Sequence, residues 1–259
     1  MSVQVHFYPD TALGFSRGHN SNMHAHLALQ LTLGLEHEFA VRYPGSTEAP
    51  TQTVRFACFA PEAIHHIPTT DAELAYLYLE CSPLSFENWQ KSGGAVVEPD
   101  LALREALLAF RRSRSNDRQR ALDLARQWRA QSLPGLVRVA PAHARLAEVV
   151  AFLDSAPLQE HNHVTLAQRA SLSPSRFAHL FREQVGLPVR NYLLWRRLVY
   201  ALSRLQQGQS ITTAAYESGF SDGAHLCRSF RNVFGAMPTD LQVERLQSDA
   251  RARGSVVAI

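Results

Sequence analysis

Two sets of side chains in this sequence have the types and spacing to do chemistry. Ser175, Arg176, His179 and Arg182 recur at intervals that a helix gathers on one face, and Ala224, His225, Arg228 and Arg231 repeat that face further along. A guanidinium presents paired, planar donors that match phosphate oxygens and guanine edges bidentately. The second set is made of imidazoles. His24 and His26 flank Ala25, Gln30 lies on the same alternating face, and His65 and His66 follow in APEAIHHIPTT. In extended chain, residues an even number apart point the same way, so His24, His26 and Gln30 converge. A later strand end carrying His65 or His66 closes the group. Three imidazoles and an amide oxygen can hold a divalent ion such as Zn, Ni or Fe, and the same pocket can take a small organic effector.

The first set must be positioned by helices. VTLAQRASLSPSRFAHLFREQVGLPVRNYL reads as a short helix, a tight turn, a second helix and a stop. Thr165 with Gln168 predicts a capping box, and Ser173 before Pro174 predicts a helix start. Phe177, Leu180, Phe181 and Val185 form the buried stripe, and Gly186 ends it. ITTAAYESGFSDGAHLCRSFRNVFGAMPTDL repeats the plan. Ile211, Ala214 and Ala215 pack its short helix, Gly219 supplies the turn, Ser221 is the expected cap, and Leu226, Phe230 and Phe234 are the buried stripe. Residues 189–207 between the copies read as one helix, about 28 Å long at the α-helical rise. Successive major grooves on one side of a duplex lie about 34 Å apart. Two helix-turn-helix units on such a rod make double-stranded DNA the expected partner, with Arg196, Arg197 and Arg204 along the rod expected at phosphates.

Residues 142–248 resemble the DNA-binding domain of the AraC/XylS family of bacterial transcription regulators. The residues that carry the resemblance are Ala167, Ser173-Pro174-Ser175, Phe181, Gly186, Gly219-Phe220-Ser221-Asp222, Arg228, Phe230, Phe234-Gly235 and Pro238. The resemblance implies groove-reading positions at Ser175, Arg176, His179 and Arg182, then at Ala224, His225, Arg228 and Arg231. It also implies a promoter as the DNA, RNA polymerase as a further partner, and an activator as the output. Gly223-Ala224 and Leu226 depart from the family pattern, which leaves Arg228 as the expected main reader of the second unit.

The front of the chain reads as strands: VQVHFY, LALQLTLGL, HEFAVRY, TVRFACF and LAYLYLEC, separated by turn-forming stretches. Their order resembles a cupin-like sensor barrel. That resemblance implies a metal box of His24, His26 and His66, with Gln30 in place of a carboxylate, or an effector pocket built from His24, His26, Gln30, His65 and His66. Residues 98–131 change to helical period, with a bend at RRSRSNDRQR, and predict a helical pair that packs on the barrel and also joins two copies of the chain into a homodimer. SLPGLVRVAP, residues 132–141, reads as a linker. The expected class is therefore α+β: a cupin-like β-barrel with a helical pair (1–131), a linker (132–141), an all-α domain of two helix-turn-helix units joined by a long helix (142–248), and a flexible tail (249–259).

Composition agrees with a sensor joined to a nucleic-acid binder. Residues 1–97 carry four basic residues against nine acidic ones, while residues 140–259 carry thirteen Arg against nine acids. Cys58, Cys81 and Cys227 are odd in number and widely spaced, MSVQVHFYPD lacks a signal-peptide pattern, and no apolar run reaches spanning length. A cytoplasmic protein with reduced thiols and no membrane partner is expected. The sequence thus predicts a ligand-responsive DNA-binding regulator that is not an enzyme. Its alternatives are a metal-responsive regulator using His24, His26 and His65 or His66, and a cupin-type metalloenzyme.

Overall fold

The computed structural model describes residues 3–8, 10–17, 23–44, 51–68, 70–137, 140–155, 161–234 and 237–238. The expected tail, residues 239–248 and Gly235 lie outside them.

Among its described residues the front half holds seven strands: β1 (Val3–Phe7), β2 (Thr11–Arg17), β3 (Ala28–Gly34), β4 (Phe39–Val41), β5 (Gln52–Val54), β6 (Phe56–Phe59) and β7 (Glu73–Glu80). Five form an antiparallel sheet in the order β1-β2-β7-β3-β6, and β4 pairs with β5 in a separate ribbon. The expected barrel is therefore a pair of sheets that does not close into a ring among the described residues. Strand β3 is buried along its whole length, which is why ALQLTLG reads as a near-continuous apolar run without alternation. Strand β2 was not expected from the sequence. TALGFSR is buried at Ala12 through Ser16, so Gly14 and Ser16 break the period that would mark a half-buried strand. Arg55 divides the expected strand TVRFACF into β5 and β6.

One face of the large sheet packs on helices. Leu13, Phe15, Leu31, Leu33 and Leu77 meet Leu103, Leu107 and Phe110 of α2 (Leu101–Ser113) and Leu124 and Trp128 of α3 (Arg118–Ser132) in one core. The helical pair exists as expected, with Arg114 at φ 51° turning the chain between its members. Most of its apolar stripe is spent on its own sheet, while Leu101, Glu105, Arg112, Arg120 and Arg126 are exposed. A third helix, α1 (Pro83–Lys91), precedes the pair. Its signal is Ser82-Pro83, the same N-cap-then-Pro start seen at Ser173-Pro174, and the Ser82 hydroxyl accepts from the Ser85 amide. The other face of the sheet buries Phe39, Phe59, Ile67 and Tyr76.

The second half is helical: α4 (Ala144–Ser155), α5 (His163–Arg169), α6 (Pro174–Val185), α7 (Val189–Gln206), α8 (Ile211–Glu217) and α9 (Gly223–Phe234). Two cores are strung on α7. Val189, Tyr192 and Leu193 pack with α4, α5 and α6, and Leu198, Ala201 and Leu202 pack with α8 and α9. The two halves touch. Leu27 packs against the first helical core, and the Tyr78 ring lies 6.4 Å from that of Phe234. Within the expected linker, Leu133 and Leu136 are buried in the front core.

Candidate functional site

The corners of the two helix-turn-helix units close on matching bonds. In the first, the Ser171 amide donates to the Gln168 carbonyl and the Leu172 amide to the Ala167 carbonyl, both at 2.9 Å. In the second, Gly219 donates to Tyr216 at 3.0 Å and Phe220 to Ala215 at 2.9 Å. Ser171 (φ 52°) and Gly219 (φ 80°) occupy the same left-handed corner of the turn. Only glycine takes that conformation freely, so Ser171 is held there at a cost.

Two caps differ from the sequence expectation. Helix α5 starts at His163, and its N-cap is Asn162, whose side chain accepts from the Val164 and Thr165 amides. Thr165 closes the capping box from the third helical position; it is not the cap, and Gln168 has no part in it. In α9 the capping carboxylate is that of Asp222, which accepts from the His225 amide at 2.7 Å. That bond, with the Ser221 hydroxyl beside it, holds the Asp222 carboxyl below the ordinary carboxylate range. Ser221 was the expected cap. The second turn is one residue longer than the first, which moves the cap from the Ser221 position to Asp222, the counterpart of Ser173.

With these caps the candidate reading faces are set. Ser175, Arg176, His179 and Arg182 are exposed on α6, opposite the buried Phe177, Leu180, Phe181 and Val185. On α9, Ala224, Arg228 and Arg231 are exposed, opposite Leu226 and Phe230. His225 is half-buried, its ring edge-on to Phe220 at 5.2 Å and its Nδ1 3.1 Å from the Ser221 hydroxyl. It is therefore less available to a partner than the two arginines. Helix α7 is continuous over 18 residues, about 27 Å. The three arginines of α7 expected at phosphates are engaged within the fold, while Arg190 at its start is exposed. Arg196 is buried and pairs with Glu80 at 2.9 Å; Arg197 donates to the His161 carbonyl at 3.0 Å; Arg204 pairs with Glu217. A helix packed on both sides by the cores it links has little face left for DNA.

The imidazoles converge as the alternation predicts, with one substitution. His24 and His65 form an antiparallel bridge, each amide donating to the other's carbonyl at 3.0 and 2.9 Å. Residues opposed in such a bridge share a face. His24, His26 and His65 are all buried, with candidate ligand atoms within 4.8 Å of one another. His66, expected in the metal box, bridges Arg42 instead. Neighbouring residues of extended chain point to opposite faces, so His65 and His66 cannot both enter the cluster.

The cluster's surroundings fit a metal in part. The Nδ1 atoms of His26 and His65 lie 2.8 and 2.9 Å from the Ala28 and Ala63 carbonyls. A carbonyl only accepts, so each Nδ1 carries the proton and each Nε2 offers its lone pair, the arrangement that orients metal-binding histidines. Burial, and next the neighbouring His24, lower the His26 pKa to about 4, which keeps that ring neutral. The Gln30 amide sits 2.6 Å from His26 Nε2 and 2.8 Å from the Thr32 hydroxyl. The structure turns the Gln30 oxygen to His26 and its NH₂ to Thr32; a neutral His26 protonated at Nδ1 calls for the opposite turn of the amide, its NH₂ donating to Nε2 and Thr32 donating to its oxygen. Nitrogens bound to one zinc stand about 3.4 Å apart, so the rings must close by about an ångström and displace Gln30 to hold the ion. Phe59 stacks on His65 at 3.9 Å and keeps water from one side.

Residues 166–243 match a family described as a helix-turn-helix domain. The HTH-type transcriptional activator RhaS of Pectobacterium carotovorum is 38% identical over 85 residues, 32% of this chain and 30% of that protein. The arabinose operon regulatory protein of Salmonella typhimurium is 29% identical over 104 residues, 39% of this chain and 37% of that one. The chain thus spans about a third of the length of the curated relatives it matches. ToxT from Vibrio cholerae shares the fold along most of the chain: TM-score 0.53 at 11% identity, covering 93% of this chain and 100% of that one. An apo variant of ToxT gives 0.56 at 9% identity, covering 92% and 98%. Such low identity speaks for the fold alone, a sheet half followed by a helical half. Residues 166–243 thus match a helix-turn-helix family, and part of the chain is similar to the RhaS activator and to the arabinose operon regulatory protein.

Proposed function

We propose that this chain is a ligand-responsive, DNA-binding transcription regulator of the AraC/XylS type, and an activator. The observation that carries the reading is the repetition of one turn geometry on both sides of a continuous helix, each copy with an exposed arginine-bearing face. Arg176, His179 and Arg182, with Ser175, serve the first groove; Arg228 and Arg231, with Ala224 and His225, serve the second. Residues 1–131 act as the effector-binding domain, 132–141 as the linker and 142–248 as the DNA-binding domain. RNA polymerase is the further partner, and the chain works in the cytoplasm. Among the described residues no helix is long and apolar enough to cross a membrane. A homodimer would need a surface other than the apolar stripes of α2 and α3, which the sheet already covers.

Fluorescence anisotropy on duplexes selected from a random pool tests this. Sequence-dependent binding that weakens steeply with salt is expected, with a log–log slope equal to about nine-tenths of the number of phosphates contacted. Equal and weak affinity for every duplex at low salt overturns it.

A second reading concerns what the front domain senses. His24, His26 and His65 support a metal-responsive regulator, with Zn, Ni or Fe as the ion. Zinc titrated into metal-free protein should raise the melting temperature, and His65→Ala should abolish the rise while His66→Ala keeps it. An unchanged melting temperature at saturating zinc sinks this reading and leaves an organic effector. A metalloenzyme is not proposed: the candidate metal group is three imidazoles with no carboxylate among them.

A further inference from the structure

An open cleft of about 370 Å³ lies in the seam between the two halves. His26, Glu62 and Ile64 line its front wall. Leu194 and Trp195 of α7, with Asn191 at the edge and Val233 of α9, line the other. Its volume falls in the range of small-molecule sites. It shares only His26 with the histidine cluster.

Two features of the front wall are unusual. Ile64 is 46% exposed, a large apolar side chain left facing water at the mouth of the cleft. Glu62 stands at φ 65°, a left-handed conformation that a side chain with a Cβ adopts at a cost of about 1–2 kcal/mol. It is fixed there by its amide, which donates to the His26 carbonyl at 2.8 Å. Strain of this kind persists where the surroundings impose it and gathers at functional positions. Among the described residues the Glu62 carboxylate has no salt-bridge partner. The cleft therefore combines apolar walls, one aromatic ring and one anionic group.

We infer that the seam cleft binds a small organic ammonium ion with an apolar body. Glu62 takes the charge, Trp195 offers an aromatic surface that also attracts a cation, and Ile64, Leu194 and Val233 cover the hydrocarbon. A ligand there touches two loops of the front half, the connecting helix and the second reading helix at once. Its binding therefore favours one arrangement of the two halves, which is a route from ligand to DNA affinity. That consequence rests on the regulator reading; the binding itself does not.

Isothermal titration calorimetry on the full chain without DNA tests the site. The probes are phenethylammonium, 2-phenylethanol and 3-phenylpropanoate, which share a body and differ in charge. The ammonium should bind saturably, the alcohol at least tenfold more weakly, and the carboxylate most weakly. Glu62→Gln should cost the ammonium at least tenfold and leave the alcohol unchanged. Ile64→Trp, which fills the mouth, should weaken both. Both residues are exposed, and unchanged melting curves show that the variants fold. No saturable binding of the ammonium at millimolar concentration overturns the inference, as does equal affinity in Glu62→Gln or a preference for the carboxylate. A chain that binds the ammonium but no duplex keeps the site and sinks the regulator reading; the reverse result keeps the regulator and sinks the site.

Discussion

Arg196, halfway along the connecting helix, donates at 2.9 Å to Glu80 at the end of strand β7, and both side chains are about nine-tenths buried. Tyr192 donates to the same carboxylate at 3.3 Å, and Arg196 reaches the Leu153 carbonyl at 3.3 Å. The front sheet is thereby tied to the rod between the two units. Removing one partner of a buried pair strands the other charge, at a cost of about 3–5 kcal/mol, whereas replacing both with apolar groups is often neutral. Glu80→Leu or Arg196→Met alone should lower the unfolding free energy, read from urea titration, by an amount in that range. The double variant Glu80→Leu, Arg196→Met should recover most of it. Two single losses that simply add would show that the pair is not coupled.

The reading faces separate by chemistry. A bidentate base contact is worth about 1–3 kcal/mol of discrimination. Arg228→Ala should therefore weaken specific binding by about tenfold to a hundredfold and relax sequence preference at one position of the site. Arg204→Ala should leave specific affinity within a factor of about two, because Arg204 is occupied by Glu217. Footprints with unchanged preference in Arg228→Ala would count against the assignment of α9.

Ser171 and Gly219 give a paired test of the turn. Left-handed backbone costs a non-glycine residue about 1–2 kcal/mol, and glycine gives back about 0.5–1 kcal/mol in chain entropy. Ser171→Gly should raise stability and Gly219→Ser should lower it, each by about 0.5–1 kcal/mol. Thermal melting of both variants reads the opposite signs. Equal effects of the same sign would mean the two corners are not equivalent.

Acid should loosen the front half through His6. This ring is buried, its Nε2 accepts from the Gln4 amide at 3.1 Å, and burial, with Arg118 next, lowers its pKa from 6.5 to about 4. A pKa lower in the folded state means that the unfolded chain binds more protons between those values. The stabilisation is then full above pH 6.5 and is lost as the pH falls toward 4. At pH 5 the loss from this group is about 2 kcal/mol. His6→Gln should flatten the urea midpoint between pH 7.5 and pH 5 by a comparable amount; an unchanged slope would remove His6 as the cause.

The helical half was legible because its signals are local. Ser173-Pro174, Gly186, Gly219 and the aromatic stripes are punctuation read within a few residues, and they fall where expected. The capping errors at Thr165 and Ser221 arose because several polar residues stand in a row and only the turn geometry selects among them. Strand β2 was missed because a strand buried on both faces has no period. The pairing of Arg196 with Glu80 could not be read at all: 116 residues separate them, and nothing in either neighbourhood distinguishes a buried arginine from one facing a phosphate. Alternation brought the histidines together, but choosing between His65 and His66 required the bridge to His24.

On the proposed function the two reading helices have a consequence at the operator. Helix α6 exposes Ser175, Arg176, His179 and Arg182, and α9 exposes Ala224, Arg228 and Arg231, so one chain presents two unlike heads in fixed order. Its binding site should then be two different half-words, not one word written twice. A monomer on such a site can sit in only one orientation, and the protein would carry a built-in arrow pointing along the promoter.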